Sequence, residues 1–120
     1  MGLPKANRLR HRKDFQQVYR QGIRCSGHYL TLRAWQEDSQ TEITPSRFGI
    51  SISKKVSKKA VIRNRIKRQI KGAIRELLKQ ISPGWQVVLV VKPEARGCEY
   101  EHFLRELEKL LTKAEVLHGH

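Results

Sequence analysis

Residues 53–76 read SKKVSKKAVIRNRIKRQIKGAIRE and hold ten Lys and Arg, with a single acid at the last position. Apolar side chains recur in this stretch at the three- and four-residue spacing of an α-helix. On a wheel of about 100° per residue they fall within an arc of roughly 80°: they are Ile62, Ile66, Ile70, Ala73 and Leu77. The opposite side carries Asn64, Arg65, Arg68, Lys71 and Arg75. The stretch therefore predicts a helix with a buried apolar stripe and a cationic outer face.

Repulsion between these cations argues against a face that only meets solvent. Lys67 with Lys71, and Lys71 with Arg75, are like charges four residues apart, and each such pair costs a helix about 0.2–0.5 kcal/mol. No acid relieves the repulsion before Glu76. A solvated face is the ordinary alternative for a charged helix, but the missing acids favour a polyanion as partner.

The composition of the whole chain agrees with this interpretation. The 120 residues include 25 Lys and Arg against 11 Asp and Glu, a formal net charge of +14, which is typical of nucleic-acid-binding domains. A membrane surface is the weaker alternative, because no run approaches the roughly 20 apolar residues that span a bilayer and no apolar segment follows the basic N-terminus. We expect one domain, residues 1–120, in the cytoplasm, with residues 1–7 and 115–120 flexible.

Periodicity and turn residues predict seven elements along the chain. They are a helix over 12–21, strands over 23–25, 29–36 and 48–53, the basic helix over 58–81, a strand over 85–91, and a last amphipathic helix from Tyr100 to Ala114. A strand, helix, strand unit of this length favours parallel pairing of its two strands. The predicted fold is α+β, a single-domain two-layer α/β sandwich of order αβββαβα with a mixed four-stranded sheet.

A second candidate surface lies on the side of the sheet away from the two long helices. Aromatic and cationic side chains are interleaved there, and aromatic rings stack on unpaired bases of any sequence. The side chains concerned are Tyr29, Thr31, Arg33 and Trp35, with Phe15 and Tyr19 from the first helix nearby. RNA is favoured over DNA because no helix-turn-helix or zipper pattern accompanies the basic helix. The alternative is that Phe15 and Tyr19, at helical spacing, belong to the core.

The sequence offers no catalytic or metal-binding motif. Its carboxylates are scattered, its five His show no ligand spacing, and Cys25 and Cys98 lack CxxC spacing, which predicts reduced, inert thiols. We therefore expect no catalytic and no metal-ligating residue in the chain. If the protein takes part in catalysis, the reacting groups must come from its partner.

One run of residues resembles a known family. Ser53-Lys54-Lys55, Lys59-Ala60-Val61 and the run from Arg63 to Arg68, which reads RNRIKR, resemble the signature of the bacterial ribonuclease P protein subunit. Further segments resemble the family's N-terminal part and the strand that enters its basic region: Asn7-Arg8-Leu9, Asp14-Phe15, Val18-Tyr19, Gly22 and Phe48-Gly49-Ile50-Ser51. The resemblance covers nearly all of residues 3–111.

The resemblance implies a function and its residues. In this family a catalytic RNA removes the 5′ leader of precursor tRNA with Mg²⁺ held mainly by the RNA, and the protein improves substrate affinity and metal binding. The implied contacts to the catalytic RNA are Lys54, Lys55, Lys59, Arg63, Asn64, Arg65, Lys67, Arg68 and Lys71, with additional RNA contacts at Arg8, Arg10 and Arg12. The implied leader cleft is lined by Phe15, Tyr19, Tyr29, Thr31 and Arg33.

Three further expectations complete the sequence-based account. Arg33 departs from the family pattern, where an aromatic residue is expected, so either the register of the strand shifts here or a guanidinium plane stacks in place of the ring. The family joins its parallel strands by a left-handed βαβ crossover, an exception to the usual right-handed rule. The partners implied are the catalytic RNA and precursor tRNA, with no membrane and no stable protein partner. The alternative function is that of a structural RNA-binding protein, such as a ribosomal component.

Overall fold

A computed structural model describes residues 2–37 and 44–117 of the chain. Its helices and strands follow the predicted order: α1 (Arg12–Gln21), β1 (Ile23–Ser26), β2 (Leu30–Gln36), β3 (Arg47–Ser51), α2 (Ala60–Leu77), β4 (Trp85–Val91) and α3 (Tyr100–Lys113). Short 3₁₀ turns occur at Lys5–Asn7, Leu78–Gln80 and Pro93–Ala95. The α+β class and the element order are confirmed.

The four strands form one mixed sheet in the order β1-β2-β4-β3. β2 pairs antiparallel with β1 and with β4, whereas β3 pairs parallel with β4, so that Phe48 lies opposite Val87. The parallel pair is connected through α2, as the strand, helix, strand pattern predicted. The left hand of this crossover stays an expectation from the family resemblance.

The sheet has a different cover on each face. Residues that alternate along a strand point to opposite faces, and Leu32, Val87 and Leu89 pack with α2 and α3 in the main core. The opposite face holds a smaller cluster of Leu9, Val18 and Val88, with Phe15 and Trp35 at its border. The sheet and the α2–α3 pair thus form the two expected layers, and α1 covers part of the other face.

The basic helix is anchored by a wider stripe than the sequence predicted. Its buried residues are Ile66, Ile70, Ala73, Ile74 and Leu77, whereas Ile62 is only partly buried. Ile74 joins the stripe because α3 packs beside the C-terminal half of α2. The helix begins at Ala60, two residues later than expected, after a turn in which the buried Ser57 hydroxyl accepts a hydrogen bond from the Lys59 amide at 3.2 Å.

Both chain ends contact the core within the described residues. Leu3 is buried and the Asn7 side-chain amide donates to the Ser46 carbonyl at 2.8 Å. At the other end Val116 is buried and Leu117 pairs with Ile81 in an isolated antiparallel bridge. The sequence predicted flexibility over 1–7 and 115–120, but Leu3, Val116 and Leu117 are buried in the main core. Met1 and residues 118–120 lie outside the described part.

Glu106 fastens α3 to the turn between β1 and β2. Its carboxylate accepts hydrogen bonds from three successive backbone amides, those of His28, Tyr29 and Leu30, at 2.6, 2.8 and 2.6 Å. Hydrogen bonds to an ionised acceptor are among the strongest in proteins. This contact sets the position of α3 over the sheet and hence the space between α3 and α2.

We expect Glu106→Ala to lower the free energy of unfolding by about 2–4 kcal/mol, because it leaves partly buried amides without their acceptor. Glu108→Ala is the matched control, since Glu108 is exposed on the same helix and its loss should change stability by less than about 0.5 kcal/mol. Urea unfolding of both variants measures the difference. Equal stability of the two variants would show that the Glu106 contact does not hold α3 in place.

Candidate nucleic-acid interface

The cations of α2 point in three directions from one helix. Arg63 turns back toward the preceding residues, Lys67 and Lys71 face the N-terminal segment, and Arg65 faces α3. Asn64 and Arg68 are exposed between these directions. The sequence predicted one cationic outer face, and the structure divides it into an exposed centre, at Asn64 and Arg68, and three flanks with different neighbours.

The first flank is a cavity at the start of α2. The Arg63 guanidinium donates to the Ser57 carbonyl at 2.8 Å, which fixes the turn that carries Lys54, Lys55 and Lys59. A cavity of about 480 Å³ opens there, and Lys58 and Arg96 also line it. Arg96 belongs to the loop between β4 and α3. Sequence reasoning missed Arg96 because no periodic pattern connects that loop with the basic helix.

The second flank joins α2 to the N-terminal segment and to α1. A cavity of about 200 Å³ brings Lys67 and Lys71 together with Arg8, Arg10 and the Phe15 ring. Gly49 on β3 forms part of its wall, and a Cβ at this position would overlap the Phe15 ring. The glycine therefore lets the aromatic ring lie close against the sheet, beside cations from two separate segments. Arg12, at the start of α1, is exposed but does not line this cavity.

The cations of α2 have no carboxylate partner in the described residues. The ion pair found there joins Arg47 to Asp14, at 3.6 Å, and both side chains are partly exposed. Glu76, near the end of α2, accepts a hydrogen bond from the Tyr100 hydroxyl at 2.7 Å. That bond, with burial and nearby carboxylates as smaller causes, raises the pKa of Tyr100 to about 12. The positive charge of α2 is thus left free for an external anion.

Tyr19 and Arg33 form a stacked pair on the α1 side of the sheet. The Arg33 guanidinium lies over the Tyr19 ring, 5.2 Å from its centroid, and Nη1 donates to the Tyr19 carbonyl at 3.4 Å. The Tyr19 side chain is 40% exposed. Because Phe15 and Tyr19 are four residues apart, they lie on the same face of α1. Three of the five predicted cleft residues are therefore near α1.

The other two cleft residues differ from the prediction. Tyr29 does not share the outward face of β2, because the strand begins at Leu30 and the preceding turn is tied to Glu106. Its ring packs beside α3, edge-on to His102 with 5.9 Å between ring centroids. Thr31 is buried, with 7% of its surface exposed. The alternation of side chains along a strand predicted the wrong face for Tyr29, because this pattern carries no information on the contact of Tyr29 with α3.

The third flank is a groove between α2 and the start of α3. It is a cavity of about 450 Å³ lined by Arg65, Gln69, Gly97, Cys98, Glu99 and Tyr100. The pKa of the Cys98 thiol is raised on balance, first by burial and then by the nearby Glu106 carboxylate. A hydrogen bond with Tyr29 opposes this rise in part. The thiol is therefore protonated near neutral pH and adds no charge to the groove.

The described residues do not cluster acidic side chains in the way that a Mg²⁺ site needs. Mg²⁺ prefers oxygen ligands, chiefly carboxylates and phosphates, and the described residues contain no group of three or more His, Cys, Asp or Glu able to hold a metal ion. The surface of α2 is instead rich in cations, which repel a metal ion. Among the helices in the described ranges, none combines the length and the apolar character needed to cross a membrane.

Comparison with known proteins agrees with the fold and shows the family. The family model described as Ribonuclease P matches residues 3–115. The ribonuclease P protein component of Microcystis aeruginosa is 58% identical over 120 residues, which is 100% of both chains, and that of Rippkaea orientalis is 55% identical over 100% of this chain and 95% of its own. The solved RNase P protein of Staphylococcus aureus is 28% identical, with a TM-score of 0.82 over 94% of this chain and 99% of that one. From its sequence and its fold together, the chain belongs to the Ribonuclease P family.

Proposed function

We propose that this chain is the protein component of ribonuclease P, which binds the catalytic RNA and the 5′ leader of precursor tRNA and assists Mg²⁺-dependent removal of the leader in the cytoplasm. The observation that carries the proposal is the α2 surface, whose cations have no carboxylate partner among the described residues and lie beside an aromatic cleft. Family membership and relatives named ribonuclease P protein component support the same role.

The exposed centre and the basic start of α2 are assigned to the catalytic RNA. RNA backbones are bound by neutralising phosphates with Lys and Arg, and this surface offers the predicted RNA-binding residues: Lys54, Lys55, Lys59, Arg63, Asn64, Arg65, Lys67, Arg68 and Lys71. Lys58 and Arg96, which line the same cavity as Lys54, extend the set. Arg8 and Arg10 reach the same RNA through the cavity that they share with Lys67 and Lys71.

The leader is assigned to the α1 side of the sheet. Phe15 and Tyr19 offer ring faces on one side of α1, and Arg33 offers a guanidinium plane over Tyr19. Stacking on aromatic rings and guanidinium planes holds an unpaired strand with little dependence on its sequence. Tyr29 and Thr31 are left out of this surface, since one packs beside α3 and the other is buried.

Cleavage itself is assigned to the RNA subunit. The protein's part is to bind, to orient the leader and to lower the repulsion between two polyanions as substrate meets catalytic RNA. Mg²⁺, when bound, would supply Lewis-acid stabilisation of the phosphate undergoing cleavage. Because the described residues do not fit the ion, phosphate and base oxygens of the RNA are its proposed ligands.

We expect Arg68→Ala to weaken binding to the catalytic RNA and to lower the slope of log K against log salt by about 0.7–0.9, since one phosphate contact is lost. Arg105→Ala is the matched control, because Arg105 is exposed on α3 and lies outside the α2 surface. Binding is measured by filter retention at several salt concentrations. An unchanged slope for Arg68→Ala would contradict the assignment of the α2 surface to phosphates.

We also expect Tyr19→Ala to raise the Kd of the protein–RNA complex for precursor tRNA by about 5- to 100-fold, because one stacked base loses its platform. The affinity for mature tRNA should change little, since that RNA has no leader. Tyr19→Phe keeps the ring and should bind precursor almost as tightly as the unchanged protein.

Tyr29→Ala is the contrasting variant, because the Tyr29 ring packs beside α3 rather than near α1. It should not change the ratio of the two Kd values, for precursor and for mature tRNA. Equal loss of precursor and mature tRNA affinity in Tyr19→Ala would contradict leader binding at α1.

A further inference from the structure

We propose that the groove between α2 and α3 binds one unpaired base of the catalytic RNA, beside the α2 surface that binds its phosphates. The inference rests on the proposed function and adds to it a site of different chemistry. A cavity of about 450 Å³ opens there, within the range of about 300–1,000 Å³ in which small-ligand sites fall. The groove is shallow and open to solvent, and its volume is sufficient to admit a single base.

The groove is chemically unlike the other cavities along α2. The cavity at the helix start is lined by five cations, Lys54, Lys55, Lys58, Lys59 and Arg96, and that beside Phe15 by four. Arg65 is the single cation in the lining of the α2–α3 groove, which also contains an amide, a carboxylate, a thiol and a phenol. Such groups match the donor and acceptor edges of a base, whereas the two cation-rich cavities are better suited to phosphates.

Gln69 provides the group that reads the base. Its Oε1 is buried and finds no hydrogen-bond donor within the described part of the chain. A buried acceptor without a donor is costly, and an amide side chain can donate and accept at once, as it does with an adenine edge. A base in the groove would supply the missing donor after a small rotation of this side chain.

The far end of the groove is closed by a rigid contact. The single hydroxyl proton of Tyr100 is donated to the Glu76 carboxylate at 2.7 Å, with the Gly72 carbonyl as a second, more distant acceptor at 3.3 Å. A Cβ at Gly72 would lie 3.3 Å from the Tyr100 ring, so the glycine allows this close approach of α3 to α2. Glu99 is held by a reciprocal capping box with His102 at the start of α3. The walls of the groove are therefore fixed before any ligand binds.

The position of the groove favours the catalytic RNA over the leader. Arg65, which belongs to the exposed α2 surface assigned to that RNA, lines the groove as well, so the two sites are continuous. Phe15 and Tyr19, assigned to the leader, are carried by α1, which packs on the opposite face of the sheet from α2 and α3. The cavity in which Phe15 meets Lys67 and Lys71 shares no lining residue with the groove. A base in the groove therefore comes from the RNA that already lies on α2.

The experiment compares Gln69→Leu with Gln80→Leu, a matched change at an exposed site beyond the end of α2. Gln69→Leu removes a buried acceptor without a partner, so the free protein should unfold at the same denaturant concentration or higher. Its Kd for the catalytic RNA should rise by about ten-fold, the loss of one base contact, whereas Gln80→Leu should bind like the unchanged protein.

The salt dependence separates a base contact from a phosphate contact. The slope of log K against log salt should stay unchanged in Gln69→Leu, in contrast to the drop of about 0.7–0.9 for one lost phosphate contact. Any of three results for Gln69→Leu would overturn the proposal: a Kd equal to that of the unchanged protein, a fall in the slope, or a loss of affinity seen only when precursor tRNA is present. If the unchanged protein itself fails to bind the catalytic RNA, the proposed function fails, which is a different result.

Discussion

The structure depends on the burial of the apolar stripe of α2 against the sheet and α3. Ile66, Ile70, Ile74 and Leu77 are all nearly inaccessible to solvent, and burying one Leu or Ile contributes roughly 1.5–3 kcal/mol. Each like-charge pair on the outer face costs only about 0.2–0.5 kcal/mol. Burial therefore outweighs repulsion, and the helix folds with its cations held at fixed positions on the surface.

The different flanks of α2 follow from what packs around the helix. Parallel pairing of β3 and β4 places α2 across one face of the sheet, and the chain before α1 lies alongside β3, where Arg8 and Phe48 form a parallel bridge. Arginines from that segment thereby meet Lys67 and Lys71. On the other side, Glu106 and Tyr100 fix α3 at the distance that leaves a groove next to Arg65.

Local pattern was sufficient to predict the elements and most of the cationic surface. α1 and β4 have the predicted bounds, because helical spacing ending at Gly22 and an apolar run of strand length are strong local signals. Local sequence patterns do not predict contacts between segments that lie far apart along the chain. Tyr29 was placed on the wrong side because Glu106 is 77 residues away along the chain, and Arg96 and Gln69 gain their positions from the packing of α3 and its preceding loop.

The proposed role of the protein is to assist a catalytic RNA in removing the 5′ leader of precursor tRNA. It is tested most directly by single-turnover cleavage of a precursor tRNA at low Mg²⁺ with the catalytic RNA, in the presence and absence of this chain. Because the proposed role of the protein is to neutralise phosphates and to bind the leader, we expect its addition to raise the cleavage rate and to lower the Mg²⁺ concentration needed for half-maximal rate. Equal rates with and without the protein, under conditions where it binds the RNA, would contradict the account.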